Sequence, residues 1–126
     1  MPTSDLSTHP ITVAGSYGRW QPLNPELGID AFGINACVMD PGEEIDVTHD
    51  EADTGQQEAY VVVAGRAAFQ IGDERVEAGP GTIVSAPDPG VVRNFSALEP
   101  GTRIVCVGAP PSEESAKAAF GEWIGG

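Results

Sequence analysis

The sequence predicts an all-β domain, a sandwich or barrel of short strands, from three observations. Sixteen glycines and eleven prolines are spread along 126 residues, which is typical of many turns and few long helices. Apolar runs rich in β-branched residues recur at a spacing of roughly 8–12 residues and indicate about eight strands. The pair Gly72-Asp73 lies between two such runs and forms a favourable two-residue hairpin turn. A chain of this length fits a single domain that buries roughly two-thirds of its unfolded surface.

The chain divides into three parts. Residues 1–30, rich in proline and glycine around Trp20, predict an irregular N-terminal arm with one short strand. Residues 31–109 hold the barrel. Residues 110–126 predict a tail with a short helix. Ser112 can cap this helix, and the two glutamates that follow it suit the positive N-terminal end of a helix. Three side chains of this helix could pack on the barrel exterior or on a partner subunit: Ala119, Phe120 and Trp123.

Within the barrel region, turns rich in glycine and proline separate the strands. The predicted strands are 31–39, 45–49, 58–65, 66–72, 74–78, 82–86, 91–95 and 102–109. In residues 45–49 the alternation places Ile45, Val47 and His49 on one face of the strand. His49 is therefore expected to point into the barrel.

Charge and composition exclude several function classes. Nineteen acidic residues against six basic ones give a net charge of −13, which is unsuited to nucleic acids and anionic membranes. No apolar run approaches the roughly 20 residues that cross a bilayer, and no secretory signal opens the chain, so a cytoplasmic location is expected. Cys37 and Cys106 lie in apolar runs and are expected to be buried free thiols.

The strand order and turn residues resemble the cupin superfamily, whose members are double-stranded β-helix, or jelly-roll, barrels. The first cupin motif ends in Glu, six residues and Gly, and Glu58 and Gly65 match this spacing. The second opens with Gly, five residues and Pro, and Gly81 and Pro87 match it. The resemblance covers about residues 31–109 and implies a single cupin domain.

The metal ligands of the family are only partly present. Cupin sites usually combine three histidines with one glutamate, whereas this chain has only His9 and His49. With His49 inward, Glu51 takes the second ligand position. His49, Glu51 and Glu58 are therefore the candidate ligands for a divalent metal such as Mn, Fe, Ni or Zn. His9 is most simply an exposed residue of the arm, and it could join them only if the arm folds over the barrel mouth.

The last ligand position of the second motif falls on Val92 or Arg93, neither of which binds a metal. Arg93 could instead neutralise Glu58 or Glu51 inside the barrel, because a buried carboxylate needs a partner. Arg93 could equally lie outside in a surface salt bridge, since one bulge reverses the parity of the strand. Tyr60 shares the face of Glu58 and is expected to line the interior. The predicted pocket thus comprises the following residues: His49, Glu51, Glu58, Tyr60 and Arg93.

The expected function is small-molecule binding in the barrel interior, with a metal-free pocket favoured. The resemblance also implies a homodimer, because small barrels of this family often pair. The alternative is a divalent-metal-dependent enzyme of the dioxygenase or isomerase type that uses His49, Glu51 and Glu58. A metal-free lyase or epimerase, with His49 as the catalytic acid–base group, lies between them. The residues alone leave the binding module and the enzyme both open.

Overall fold

The computed structural model describes the main chain of residues 1–120 and the side chains of residues 1–116. Its strands are β1 (Thr12–Val13), β2 (Arg19–Pro22), β3 (Gly33–Met39), β4 (Gln57–Ala64), β5 (Ala67–Ile71), β6 (Glu74–Ala78), β7 (Ile83–Ala86), β8 (Arg93–Ala97) and β9 (Thr102–Ala109). Its helices are a 3₁₀ turn (Gly15–Tyr17), α1 (Asn24–Leu27) and α2 (Glu113–Phe120). One sheet has six strands in the order β1-β2-β3-β9-β4-β7, and the other has three in the order β6-β5-β8. The predicted all-β, two-sheet architecture is confirmed.

Most of the predicted strands form where the turn residues place them. The hairpin of β5 and β6 closes through Gly72-Asp73, with Ile71 opposite Glu74 and Gly72 at φ +57°. Such a left-handed φ suits glycine, which has no Cβ to clash with the following carbonyl. The predicted strand 45–49 is wrong as a continuous element, because only His49 forms an isolated bridge.

The N-terminal arm is more regular than predicted, since it contributes two strands rather than one. β2 pairs with β3 along its whole length, and β1 extends the sheet beyond it. Gln21 is fully buried, and its side-chain amide donates to the carbonyls of Leu6 and His9 at 2.8 and 3.0 Å. The start of the chain is thereby attached to the six-stranded sheet.

The hydrophobic core lies between the two sheets. Tyr60, Phe69 and Phe95 form its centre, with ring centroids 5.4–5.7 Å apart. Aromatic rings at this separation attract each other beyond the area that they bury, by about 0.5–1.5 kcal/mol per pair. Cys37 and Cys106 both belong to this core and are buried free thiols, as predicted.

The C-terminal helix forms as predicted, and Ser112 caps it by accepting a hydrogen bond from the Ser115 N–H at 3.1 Å. Trp123 lies outside the described residues, as do the side chains of Ala119 and Phe120. None of the helices in the described part of the chain is long and apolar enough to span a membrane.

Candidate functional site

A cavity of about 440 Å³ lies inside the barrel. Its polar wall contains His49, Glu51 and Glu58, and its apolar walls include Trp20 and Phe95. The remaining lining residues are Tyr17, Pro22, Gly33, Asn35, Val47, Thr48, Gln56, Tyr60, Cys106 and Gly108. A concave, mainly apolar cavity with a few convergent polar groups is the usual form of a small-molecule site.

Glu58 is the centre of the polar wall. It occupies the second position of β4, so its side chain shares the inner face with Tyr60 and Val62. Two donors converge on Glu58 Oε1, Arg93 Nη1 at 3.0 Å and the Tyr60 hydroxyl at 2.8 Å, and His49 Nε2 lies 3.2 Å from the same oxygen. Burial, and then the charge of Glu58, raises the pKa of Tyr60, so its hydroxyl stays protonated and donates to the carboxylate.

Arg93 lies inside the barrel, with a side chain that is 0% exposed. Its Nη1 donates to Glu58, and its Nη2 donates to the Asp88 carbonyl at 2.7 Å. The sequence left open whether Arg93 pairs with Glu58, with Glu51 or with a surface residue. In the structure Arg93 pairs with Glu58 and makes no ion pair with Glu51. Arg93 is the first residue of β8, so the two valines before it belong to the turn and do not fix its parity.

His49 is held beside Arg93 by the main chain. The two residues exchange N–H···O hydrogen bonds of 3.1 and 2.8 Å. His49 Nδ1 lies 2.6 Å from the Val47 carbonyl, so we assign the proton to Nδ1, which donates to that oxygen. His49 Nε2 then faces the carboxylate oxygens of Glu51 at 3.1 Å and Glu58 at 3.2 Å. This nitrogen can carry a second proton, exchange a proton with a bound molecule or bind a cation.

Glu51 is placed by the loop that follows His49. Its N–H donates to the Pro89 carbonyl at 2.8 Å, and its carbonyl accepts from the Gly55 N–H at 2.7 Å. The Thr54 hydroxyl donates to Glu51 Oε2 at 2.7 Å, which leaves Oε1 directed at His49. The loop therefore presents one carboxylate oxygen to the polar wall.

The three candidate metal ligands do come together. One ligand atom from each of His49, Glu51 and Glu58 lies within 4.8 Å of the others. One nitrogen and two carboxylate oxygens suit a hard divalent ion better than a soft one. However, the Arg93 guanidinium already occupies Glu58 Oε1, and its positive charge opposes a second cation at that oxygen. The donor set therefore fits a weakly held hard ion and does not fit a tight transition-metal site.

His9 does not reach this site. The expectation of an exposed arm residue is also wrong, because its side chain is only 6% exposed. Its Nε2 lies 3.2 Å from Glu26 Oε2, and its Nδ1 lies 2.8 Å from the Pro10 carbonyl oxygen. Ser4 and His9, at the start of the arm, contact Glu26 of α1, whereas Tyr17 and Trp20 later in the arm line the cavity.

The lining includes residues that the predicted pocket lacks, and Trp20 and Gln56 are two of them. The sequence places Trp20 in the arm and Gln56 in a polar loop, yet both line the cavity. Trp20 lies opposite Cys37 in the register of β2 and β3, and facing residues of paired strands share one side of the sheet. The alternation of β2 could have found Trp20, provided that its pairing with β3 was known.

Comparisons with known proteins support the fold. No family model matches the chain. The uncharacterized protein SCO3923 of Streptomyces coelicolor is 34% identical over 80 residues, which cover 64% of this chain and 71% of that protein.

Several solved structures share the fold at low sequence identity. KdgF from Halomonas sp. is 15% identical, with a TM-score of 0.69 over 88% of this chain and 94% of its own. A cupin protein from Bacteroides fragilis is 13% identical, with a TM-score of 0.67 over 88% and 85% of the two chains. A sugar phosphate isomerase from a cupin superfamily, from Silicibacter pomeroyi, is 18% identical, with a TM-score of 0.67 over 87% and 76%.

Proposed function

We propose that this chain, which has the cupin fold and belongs to the same family as the Streptomyces coelicolor protein, binds a small organic molecule in the barrel cavity without a transition metal. One observation carries the proposal. The Arg93 guanidinium is fully buried and bonded to Glu58, the one glutamate that matches the family's metal motif. The arginine neutralises this carboxylate, which is the electrostatic part of what a metal ion would do for it.

The cavity is suited to a small ligand. Its volume of about 440 Å³ lies within the range of small-molecule sites. Trp20 and Phe95 offer flat apolar surfaces, while Glu51 and Glu58 offer hydrogen-bond acceptors on the polar wall. Such a combination fixes both the position and the orientation of a bound molecule. The substrate named for a structural neighbour does not carry over, because identity below 25% indicates the fold alone.

A ligand-observed NMR screen of a fragment library tests this proposal. Thr48 is exposed at the rim of the cavity, so Thr48→Trp would fill the entrance without disturbing the core. Thr82 is equally exposed but does not line the cavity, and Thr82→Trp is the matched control. We expect fragments whose binding is lost in Thr48→Trp and kept in Thr82→Trp. A library in which no fragment depends on Thr48 would refute binding in the cavity.

A second candidate function, weak binding of a divalent metal, is favoured by the orientation of His49. A ligating histidine usually donates its other ring N–H to a carbonyl or carboxylate, and His49 Nδ1 meets the Val47 carbonyl in this way. His49, Glu51 and Glu58 would hold the ion, which would supply Lewis-acid polarisation of a bound oxygen.

Titration calorimetry with manganese and zinc tests the metal candidate. If a metal binds the polar wall, His49→Ala abolishes binding, because it removes the only nitrogen ligand of the described site. His9→Ala is the matched control and should bind as the wild type does, since His9 contacts Glu26 instead. Unchanged stoichiometry in His49→Ala would exclude this site.

A further inference from the structure

No lysine or arginine is among the described residues that line the cavity. Its acidic groups are Glu51 and Glu58, and its one imidazole is that of His49. The nearby guanidinium of Arg93 is fully buried, and both of its terminal nitrogens are engaged by Glu58 and Asp88. Protonated His49 would likewise be balanced by the two carboxylates that it faces. A negatively charged ligand would therefore face the carboxylates of Glu51 and Glu58, which have the same charge as the ligand, and no unpaired positive charge among the described residues of the walls.

Two hydrogen-bond donors beside the polar wall are already engaged by the protein. The Tyr60 hydroxyl donates to Glu58, and the Trp20 indole N–H donates to the Tyr17 carbonyl at 2.7 Å. In contrast, Glu58 Oε2 accepts no hydrogen bond from the described part of the chain. The polar wall thus offers acceptors in excess, and a ligand that donates hydrogen bonds would satisfy them.

The geometry points to a cavity that selects ligands which carry no negative charge and which donate hydrogen bonds, such as amines and polyols with an apolar face. This selectivity rests on the proposed binding function. Two unit charges about 4 Å apart at an effective dielectric near 20 interact strongly enough to change affinity by roughly 100-fold or more. The net charge of −13 adds a longer-range effect of the same sign, which salt screens.

Three probes of similar size and different charge test this selectivity: benzylamine, benzyl alcohol and benzoate. Their dissociation constants are measured by ligand-observed NMR at two salt concentrations. Acidic surface groups attract any amine, so only the binding that Thr48→Trp removes and Thr82→Trp keeps is counted. We expect benzylamine and benzyl alcohol to bind at least about 30-fold more tightly than benzoate, because benzoate faces Glu51 and Glu58 without a counter-charge.

A charge-neutral variant identifies the source of the selectivity. Glu51→Gln should reduce the preference for benzylamine over benzoate by about 10-fold, because it removes one of the two carboxylates of the wall. Glu77→Gln is the matched control, since Glu77 lies on the exposed face of β6 and away from the cavity, and its preference should equal that of the wild type.

The outcomes separate this inference from the proposed function. Benzoate that binds as tightly as benzylamine, with both lost in Thr48→Trp, would overturn the charge selection and leave small-molecule binding intact. Absence of binding by all three probes would also overturn the selection, while the wider fragment library would decide the proposed function. An unchanged preference in Glu51→Gln would overturn the contribution to the selectivity that is assigned to the Glu51 carboxylate.

Discussion

Replacing Arg93 with methionine removes a buried guanidinium and keeps most of the side-chain volume. Among the described residues Glu58 would then retain Tyr60 and His49 as partners, and the Asp88 carbonyl would keep only the Val91 N–H, at 3.2 Å. Removing one member of a buried ion pair costs about 3–5 kcal/mol, because the other charge stays buried. A 126-residue chain loses roughly 3–5 °C in Tm per kcal/mol, so Arg93→Met should lower Tm by roughly 10–20 °C.

The assay is urea unfolding followed by circular dichroism, with calorimetry for the Tm. Arg75→Met is the matched control, because Arg75 pairs with Glu77 on the surface, where the two side chains are 55% and 43% exposed. Exposed pairs of this kind contribute about 0–1 kcal/mol, so the control should unfold almost as the wild type does.

A double variant isolates the charge interaction. Glu58→Gln combined with Arg93→Met removes both charges, and its free energy of unfolding should exceed the value expected from adding the two single effects. An Arg93→Met variant within about 1 kcal/mol of the wild type would refute the argument, because it would mean that Glu58 does not depend on the guanidinium.

Two further predictions concern the backbone and the thiols. Gly65→Ala should destabilise the fold by roughly 3–5 kcal/mol in urea unfolding, because Gly65 has a φ of +71° and a Cβ there would lie 2.7 Å from Thr102 Cα. Gly101→Ala, with a similar φ of +69° and open space, should cost only about 1–2 kcal/mol, and equal losses would contradict the steric account. Burial raises the pKa of Cys37 from 9.0 to about 12 and raises that of Cys106, so Ellman's reagent at pH 8 should label neither thiol before unfolding. The unfolded thiol ionises at lower pH than the folded one, so stability should fall as pH rises from about 9 towards 12, and a flat profile would be inconsistent with burial.

The sequence predicts the barrel well where the signals are local. Turn pairs such as Gly72-Asp73 fix the ends of the strands beside them, and alternation assigns Tyr60 and Val62 to the interior. The strands β1 and β2 were not both predicted, because they are two and four residues long and one of them ends in Pro22. β2 is a strand through its pairing with β3, and β1 through its pairing with β2, and neither contact can be recognised from the few residues of the strand itself.

In the candidate site, too, the residues with local signals were predictable and the contacts between distant residues were not. Glu58 was placed by its spacing from Gly65, and the alternation to Val47 placed His49 beside it. The partner of Arg93 could not be chosen, because its parity depends on where β8 begins within the turn after Asp88. The contact of His9 with Glu26 could not be predicted either, because Glu26 lies in a four-residue helix that no periodicity indicates.

Arg93 makes two contacts that together fix the polar wall of the cavity. One terminal nitrogen neutralises Glu58 on β4, while the other holds the Asp88 carbonyl and closes the turn before β8. The main-chain bridge of Arg93 to His49 couples that turn to the segment that carries His49 and Glu51. A metal ion would bind only side chains of the wall, whereas the guanidinium also fixes the loop behind them. The chain itself therefore preorganises the polar wall, and the free carboxylate oxygens of the wall can accept hydrogen bonds from a bound molecule.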